Sequence, residues 1–376
     1  MTGKRRIEAA LSPEGARDIP AVVCYEGIFT RDHWPQLTNH PWWYQDTPDI
    51  RHQVQWRLEV AEQLGQDMFY LPSFFSPGER RDLAIKVRAD GVFRVNRRTG
   101  EQAQLTEPAV GGWSNEGSLA SNHPEHWAET PDEIDELMST WDQGAVDDSQ
   151  GDLAAALLDQ TGEKLYPYRF VSTPLWVCYD LWGFEGMMVM IASKPALVEH
   201  ACRRNLEICR RAVRQAASLG AAGLWIEDCF SDMISPAAFE AFNVRFLKPV
   251  VEEIRALGMN SLHYFCGNPS GKWDQILSIG ADALALEESK KGFNIDIEDI
   301  VSRVEGRTAV FGNLDAIGVL QDGSEEQLRA EIARQIEAGR RNGGRFIMGI
   351  GSPVTPGTSV ERVRLYCDLA HEFGAI

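Results

Sequence analysis

Chemistry in this chain gathers first at Ser261-Leu-His-Tyr-Phe-Cys-Gly-Asn268. The stretch reads as a short apolar strand that ends in an imidazole, a thiol and a Gly-Asn turn. A strand that opens into such a loop can bring a soft metal ligand or a nucleophile to the lip of a barrel or sheet. His263 and Cys266 are therefore the candidate metal ligands, with zinc the ion that suits imidazole and thiolate together. The spacing sets a condition: residues three apart on a regular strand point to opposite faces, so the two converge only if the strand has ended by Tyr264 or Phe265. Cys266 could otherwise be a small buried hydrophobe.

The elements that must position these residues repeat along the chain. Apolar runs beginning near residues 20, 67, 168, 222, 260, 282, 308 and 345 predict eight strands, most of them followed by helices. Helices are expected over 49–65, 193–220, 235–257, 295–304 and 324–341, with Thr358-Ser-Val-Glu361 capping a last one. Eight buried strands alternating with helices predict a single (β/α)8 TIM barrel over 1–376, ahead of a doubly wound sheet, because no glycine-rich phosphate turn follows the first strand. Residues 73–150 break the rhythm. Alternation around Asp90-Gly91 and Thr99-Gly100 predicts β-hairpins, and Thr130-Pro-Asp-Glu133 predicts a helix start, so this part is an inserted elaboration of the barrel.

In such a barrel the reacting groups lie at the C-terminal ends of the strands. That position selects Cys24, Tyr25 and Glu26; Tyr70 and Ser73; Ser172 and Thr173; Glu227, Asp228 and Cys229; His263, Cys266 and Asn268; Glu287 and Glu288; Asn313 and Asp315; Ser352 and Thr355. Glu227, Asp228 and Tyr25 are the catalytic candidates, as acids, bases or completing ligands. Glu26, Tyr70, Asn268, Glu287, Asn313 and Ser352 are the candidates for substrate contact. Each carboxylate could instead form a salt bridge on the rim. His33 could fold over the mouth, and the cluster His40-Pro-Trp-Trp-Tyr44 is either a lid or packing of the N-terminal arm on the barrel.

The chain has 376 residues, is 44% hydrophobic and carries a formal charge of −18. So acidic a protein should be repelled by nucleic acid and by anionic membranes. The seven cysteines are odd in number and contain no CxxC, the pattern of a reduced, cytoplasmic protein. The N-terminus has charge but no apolar core of a signal peptide. The apolar run Val171 to Ala192 is interrupted by Asp180 and Glu185, which argues against a membrane span.

Several motifs resemble the uroporphyrinogen decarboxylase superfamily: Gly183-Phe-Glu-Gly186, Ala192-Ser-Lys-Pro195, Ser218 to Asp228, Ile234-Ser-Pro236, Cys266-Gly-Asn268, Gly280-Ala-Asp-Ala283, Gly312-Asn-Leu-Asp315 and Pro356-Gly-Thr358. They run in order over roughly 165–376, and the family fold is a (β/α)8 barrel. True uroporphyrinogen decarboxylases carry an arginine-rich segment after the first strand. Here Cys24 to Arg31 is acidic, and Ser352 stands where the family has a histidine. The resemblance is nearer to the corrinoid-dependent methyltransferase branch, whose zinc is held by a histidine and cysteine in the turn after the fifth strand and a later cysteine. It implies a methyltransferase moving a methyl group between a small substrate or thiol and a corrinoid, with a corrinoid protein as partner. Two residues separate His263 from Cys266 where the branch has one, and Ser352 replaces the third ligand. Zinc would then need Glu227, Asp228 or Cys24. A metal-free decarboxylase or lyase acting on a small carboxylated substrate is the alternative, and non-catalytic binding of a corrinoid or tetrapyrrole is a third.

Overall fold

The computed structural model of the chain describes residues 1–110, 122–141, 148–289 and 292–375. Ten strands are assigned among them: β1 (Met68–Tyr70), β2 (Leu83–Arg88), β3 (Gly91–Asn96), β4 (Gln102–Leu105), β5 (Tyr166–Ser172), β6 (Gly223–Asp228), β7 (Asn260–Phe265), β8 (Ala283–Leu286), β9 (Ala309–Phe311) and β10 (Phe346–Ile347). Seven form one parallel sheet in the order β1-β5-β6-β7-β8-β9-β10. Strands β8 and β9 are buried along their whole length, as their uninterrupted apolar sequences require.

The first expected strand, near residue 20, closes this sheet into a barrel without forming a regular ladder. Ala21 bridges Met348 in parallel, with Val22 N–H donating to the Met348 carbonyl at 2.9 Å. On its other side Asp67 N–H donates to the Ala21 carbonyl at 2.8 Å. The reciprocal donors go to side chains: Ala21 N–H to Asp67 Oδ2 at 2.9 Å, and Val23 N–H to Gln66 Oε1 at 2.8 Å. Two side chains thus replace the backbone acceptors of one ladder, which is why the segment is extended and bonded on both sides yet irregular.

Helices occupy most of the expected places, including Ile50–Leu64, Pro195–Ser218, Ile297–Val304, Glu325–Arg341 and Val360–Gly374. Ser359, not Thr358, caps the last one, accepting from Arg362 N–H. The expected helix over 235–257 is interrupted: a π-helical turn, Glu240–Val244, separates Pro236–Phe239 from Arg245–Ala256. That widened turn aims Asn243 at the sheet. The helix Glu26–Asp32, directly after Tyr25, has no counterpart in the hydrophobic pattern.

Within 73–150, β2, β3 and β4 form an antiparallel meander of their own. The helix Pro131–Trp141 is tied to Pro195–Ser218 by Asp135, which pairs with His200 at 2.9 Å and Arg204 at 2.8 Å. Pro174–Ser193 is long and apolar enough to cross a membrane by length and composition, but more than half of it is buried in the fold. Gly183 breaks its helical path, and Trp182 donates to the Ala128 carbonyl at 2.9 Å.

Asp67 carries the closure. It is buried and accepts from Ala21 N–H, from His371 Nε2 at 2.8 Å and from Arg6 at 2.5 Å. Burial alone would raise its pKa, but the hydrogen bonds from His371 and Arg6 outweigh it and hold the carboxyl below its ordinary 3.8. A depressed carboxyl stabilises the fold above its ordinary value and loses that contribution as pH falls through its folded value. Asp67→Asn is expected to cost about 3 kcal/mol in urea unfolding at pH 7. The difference from wild type should shrink below about pH 4.

Candidate functional site

Strands β6 and β7 divide the expected site between two faces. They pair with Ile226 opposite His263, Glu227 opposite Tyr264 and Asp228 opposite Phe265. The strand continues through Phe265, so His263 and Cys266 point to opposite sides. His263 lies outside the barrel, 1% exposed, with Nε2 3.0 Å from Asp228 Oδ2. Asp228 Oδ1 accepts from Ser231 Oγ at 2.7 Å and from Asn243 Nδ2 at 2.6 Å. Both carboxylate oxygens are thus engaged between the sheet and the helices, away from the mouth. The side chain that shares the inner face with Cys266 is Tyr264, whose hydroxyl donates to the Gly351 carbonyl at 2.8 Å.

Cys266 meets Cys229 instead, with the two Sγ atoms 2.9 Å apart. Burial, then the Cys229 thiol, pushes the Cys266 thiol well above its usual range. Gly267 follows at φ +91, and a Cβ there would collide with the Asp232 carboxylate, so the turn after Cys266 requires glycine. Asn268 serves that turn: its N–H donates to Asp232 Oδ2 at 3.2 Å, and its Oδ1 accepts from Ser270 N–H at 3.0 Å.

Tyr25 sits over the mouth. Its backbone is left-handed, with φ 54 and ψ 48. Its ring stacks on Phe170 at 5.7 Å and meets Tyr264 and Trp225 edge-on at 5.8 and 6.2 Å. Burial, followed by the charges of Cys24 and Glu227, pushes its hydroxyl well above the usual range. Burial also raises Glu227, against a hydrogen bond from Tyr25. Glu227 and Tyr25 are therefore partners, and burial shifts both toward their protonated forms.

Across the mouth the remaining candidates hold the strand-end loops. Ser352 Oγ donates to Glu288 Oε2 at 2.7 Å. Asn313 Nδ2 donates to the carbonyls of Glu287 at 3.2 Å and Ile295 at 2.8 Å. Glu287 is buried, and its charge contributes to raising Cys266 and Tyr264. His33 does not reach over the mouth but stacks on Phe29 at 4.1 Å. The aromatic cluster packs on the helix Ile50–Leu64: Tyr44 stacks between His40 and His52, and Gln53 Nε2 donates to the carbonyls of Tyr44, Gln45 and Thr47.

Beside Tyr25 opens a cavity of about 480 Å³, walled by Tyr70, Phe170, Trp56 and aliphatic side chains. Two charged groups face it, Glu26 and Arg57. Glu26 accepts from Tyr70 N–H at 3.0 Å and from the Gln66 amide. Burial pushes its carboxyl up to about 7, with the Tyr70 amide and the Arg57 charge opposing. Burial pushes Arg57 down to about 9, against the Tyr70 and Glu26 charges. Its guanidinium lies 4.0 Å from the Trp56 ring centroid and donates to the Gln53 carbonyl at 3.2 Å and to the Gln53 side chain. Among the described residues no carboxylate lies within ion-pair distance of it. On its far side is a second, more polar cavity of about 390 Å³ that includes Ser73, Phe74 and Glu79.

Arg57 escaped the strand-end argument because it comes from a helix. Its signal was nonetheless present: Val54, Leu58, Ala61 and Leu64 share a face, and Arg57 falls on that face at i+3 from Val54. A cation on an apolar stripe is a buried-polar-group signal. Cys229 was visible as a strand end, but its pairing with Cys266 follows only from the register.

These donors do not fit zinc. Tetrahedral coordination with bonds of about 2.3 Å needs thiolate sulfurs about 3.7 Å apart and two further ligands. The thiols of Cys229 and Cys266 are closer than that, and His263 is committed to Asp228. Among the described residues no group of three or more His, Cys, Asp or Glu side chains is placed to hold a metal ion.

Comparison with known proteins agrees with this architecture. The uroporphyrinogen decarboxylase (URO-D) family matches residues 146–373. The uroporphyrinogen decarboxylase of Neisseria meningitidis serogroup C is 25% identical over 203 residues, 52% of this chain and 55% of that one. That of Thermodesulfovibrio yellowstonii is 27% identical over 205 residues, 54% of this chain and 53% of that one. The chain thus spans about half the length of the curated relatives it matches. A methyltransferase from Methanosarcina mazei shares the fold over 100% of both chains, with a TM-score of 0.65 and 18% identity. With the matched segment covering more than half of its length, the chain belongs to the uroporphyrinogen decarboxylase family.

Proposed function

We propose that the chain is an enzyme that takes a small, largely apolar, carboxylated substrate into the cavity beside Tyr25 and acts on it by acid–base chemistry, as a decarboxylase or lyase. The observation that carries this reading is the pairing, on one apolar cavity, of an arginine with no carboxylate at ion-pair distance among the described residues and a carboxyl that holds its proton to about pH 7. Arg57 binds and orients the anionic group. The aromatic walls exclude water, which strengthens that contact. Glu26 is the proton donor. In a decarboxylation the carbon–carboxylate bond breaks, carbon dioxide leaves, and the electron pair takes the proton from Glu26, which is then recharged from solvent. Tyr25 closes the cavity and presents Glu26 as the next residue.

Methyl transfer is the second reading, favoured by the contact of Cys229 and Cys266 beside Tyr25. The acceptor would be a thiol, or a corrinoid presented by a partner protein. Methyl release from methylated donors, assayed with and without a corrinoid protein, against carbon dioxide release from aromatic and pyrrolic acids, separates the two readings.

A donor that must be protonated works below its folded pKa and fails above it. The kcat/KM for decarboxylation should therefore fall about tenfold per pH unit above about pH 7. Glu26→Gln should lower kcat by about 100-fold or more with little change in KM. Arg57→Ala should weaken the binding of benzoate, measured by calorimetry, by about 10- to 100-fold. Equal binding of benzoate by both proteins would remove Arg57 from the site.

A further inference from the structure

The seven cysteines are not equivalent. Cys24, Cys178, Cys202, Cys209 and Cys367 are buried, whereas Cys229 and Cys266 are partly exposed. These two are also each other's neighbours. Because β6 and β7 run parallel with Asp228 opposite Phe265, the next residue of each strand lands side by side on the inner face. Cys266 N–H donates to the Asp228 carbonyl at 2.9 Å, which carries the pairing one residue past the strands. The Sγ atoms then lie 2.9 Å apart, with the rigid turn at Gly267 behind one of them. A disulfide needs its sulfurs at about 2.05 Å, so closure asks for a movement of under an ångström.

We propose that Cys229 and Cys266 are a peroxide-reactive dithiol that closes to a reversible disulfide at the mouth of the barrel. The Cys229 thiol gives up its proton, and its sulfur attacks the peroxide oxygen. The O–O bond breaks, leaving a sulfenic acid and releasing water or an alcohol. The Cys266 thiol attacks the sulfenic sulfur, its proton passes to the departing hydroxide, and the oxygen leaves as water. Two cysteine thiols are oxidised, one peroxide is reduced, and a dithiol reductant reverses the change. The buried cysteines are shielded from the oxidant, which makes the reaction selective. The proposal stands apart from the acid–base reading, which uses neither thiol.

The test is titration of the full wild-type chain with hydrogen peroxide, followed by alkylation under denaturing conditions, intact mass and peptide mapping without reduction. The expected product has lost two hydrogens, contains a linked Cys229–Cys266 peptide, and leaves five thiols to alkylate. Dithiothreitol should restore all seven. Cys266→Ser should instead retain oxygen on Cys229 and form no link. Oxygen addition without a link in the wild type, a link through any other cysteine, or no reaction at all would overturn the proposal, and none of these readings depends on a variant that folds.

Discussion

The turn at Tyr25 is the constraint on which the site depends. A tyrosine in the left-handed region costs on the order of 1–2 kcal/mol, and three aromatic neighbours at 5.7 to 6.2 Å hold it there. That conformation ends the irregular closing strand and starts the helix Glu26–Asp32 in one step. The ring goes to the barrel axis and the next side chain goes to the cavity. Glu26 is then received by a backbone amide from β1 and by Gln66, whose other end accepts Val23 N–H. The residues that close the barrel are therefore those that hold the acid.

Strands β6 and β7 show how a parallel sheet separates stability from chemistry. On the outer face Asp228, His263, Ser231 and Asn243 are linked so that each carboxylate oxygen has a donor, while His263 Nδ1 and Asn243 Oδ1 are buried without a partner among the described residues. On the inner face the same strands carry Glu227, Tyr264 and the thiols. The one-residue difference between His263 and Tyr264 decides which face an imidazole would occupy. It is the reason that the zinc-holding pair expected from the family resemblance does not assemble.

Much of the architecture was legible in the sequence, because near-continuous apolar runs such as Ala283–Leu286 and Ala309–Phe311 fit only buried parallel strands. Side-chain alternation also flagged the fault in pairing His263 with Cys266. The rest needed three dimensions. The closing of the barrel relies on Asp67 and Gln66 acting as backbone substitutes, which no local pattern encodes. The π-helical turn that brings Asn243 to Asp228 leaves no mark in a helical periodicity. Glu26 stands at a strand end in the sequence, but its elevated pKa comes from burial under a helix contributed by residues 50–64. Arg57 lies on the apolar face of that helix, but no local pattern places that face against Glu26.

The site depends on a carboxyl beside Tyr25 that burial keeps substantially protonated up to about pH 7. The direct measurement is a carbon-13 NMR titration of the Glu26 side-chain carboxyl in the wild-type protein, assigned by its loss in Glu26→Gln. The account predicts a midpoint at about 7. A midpoint at the ordinary value of 4.5 would contradict it, because Glu26 would then be a carboxylate under working conditions, with no proton to give.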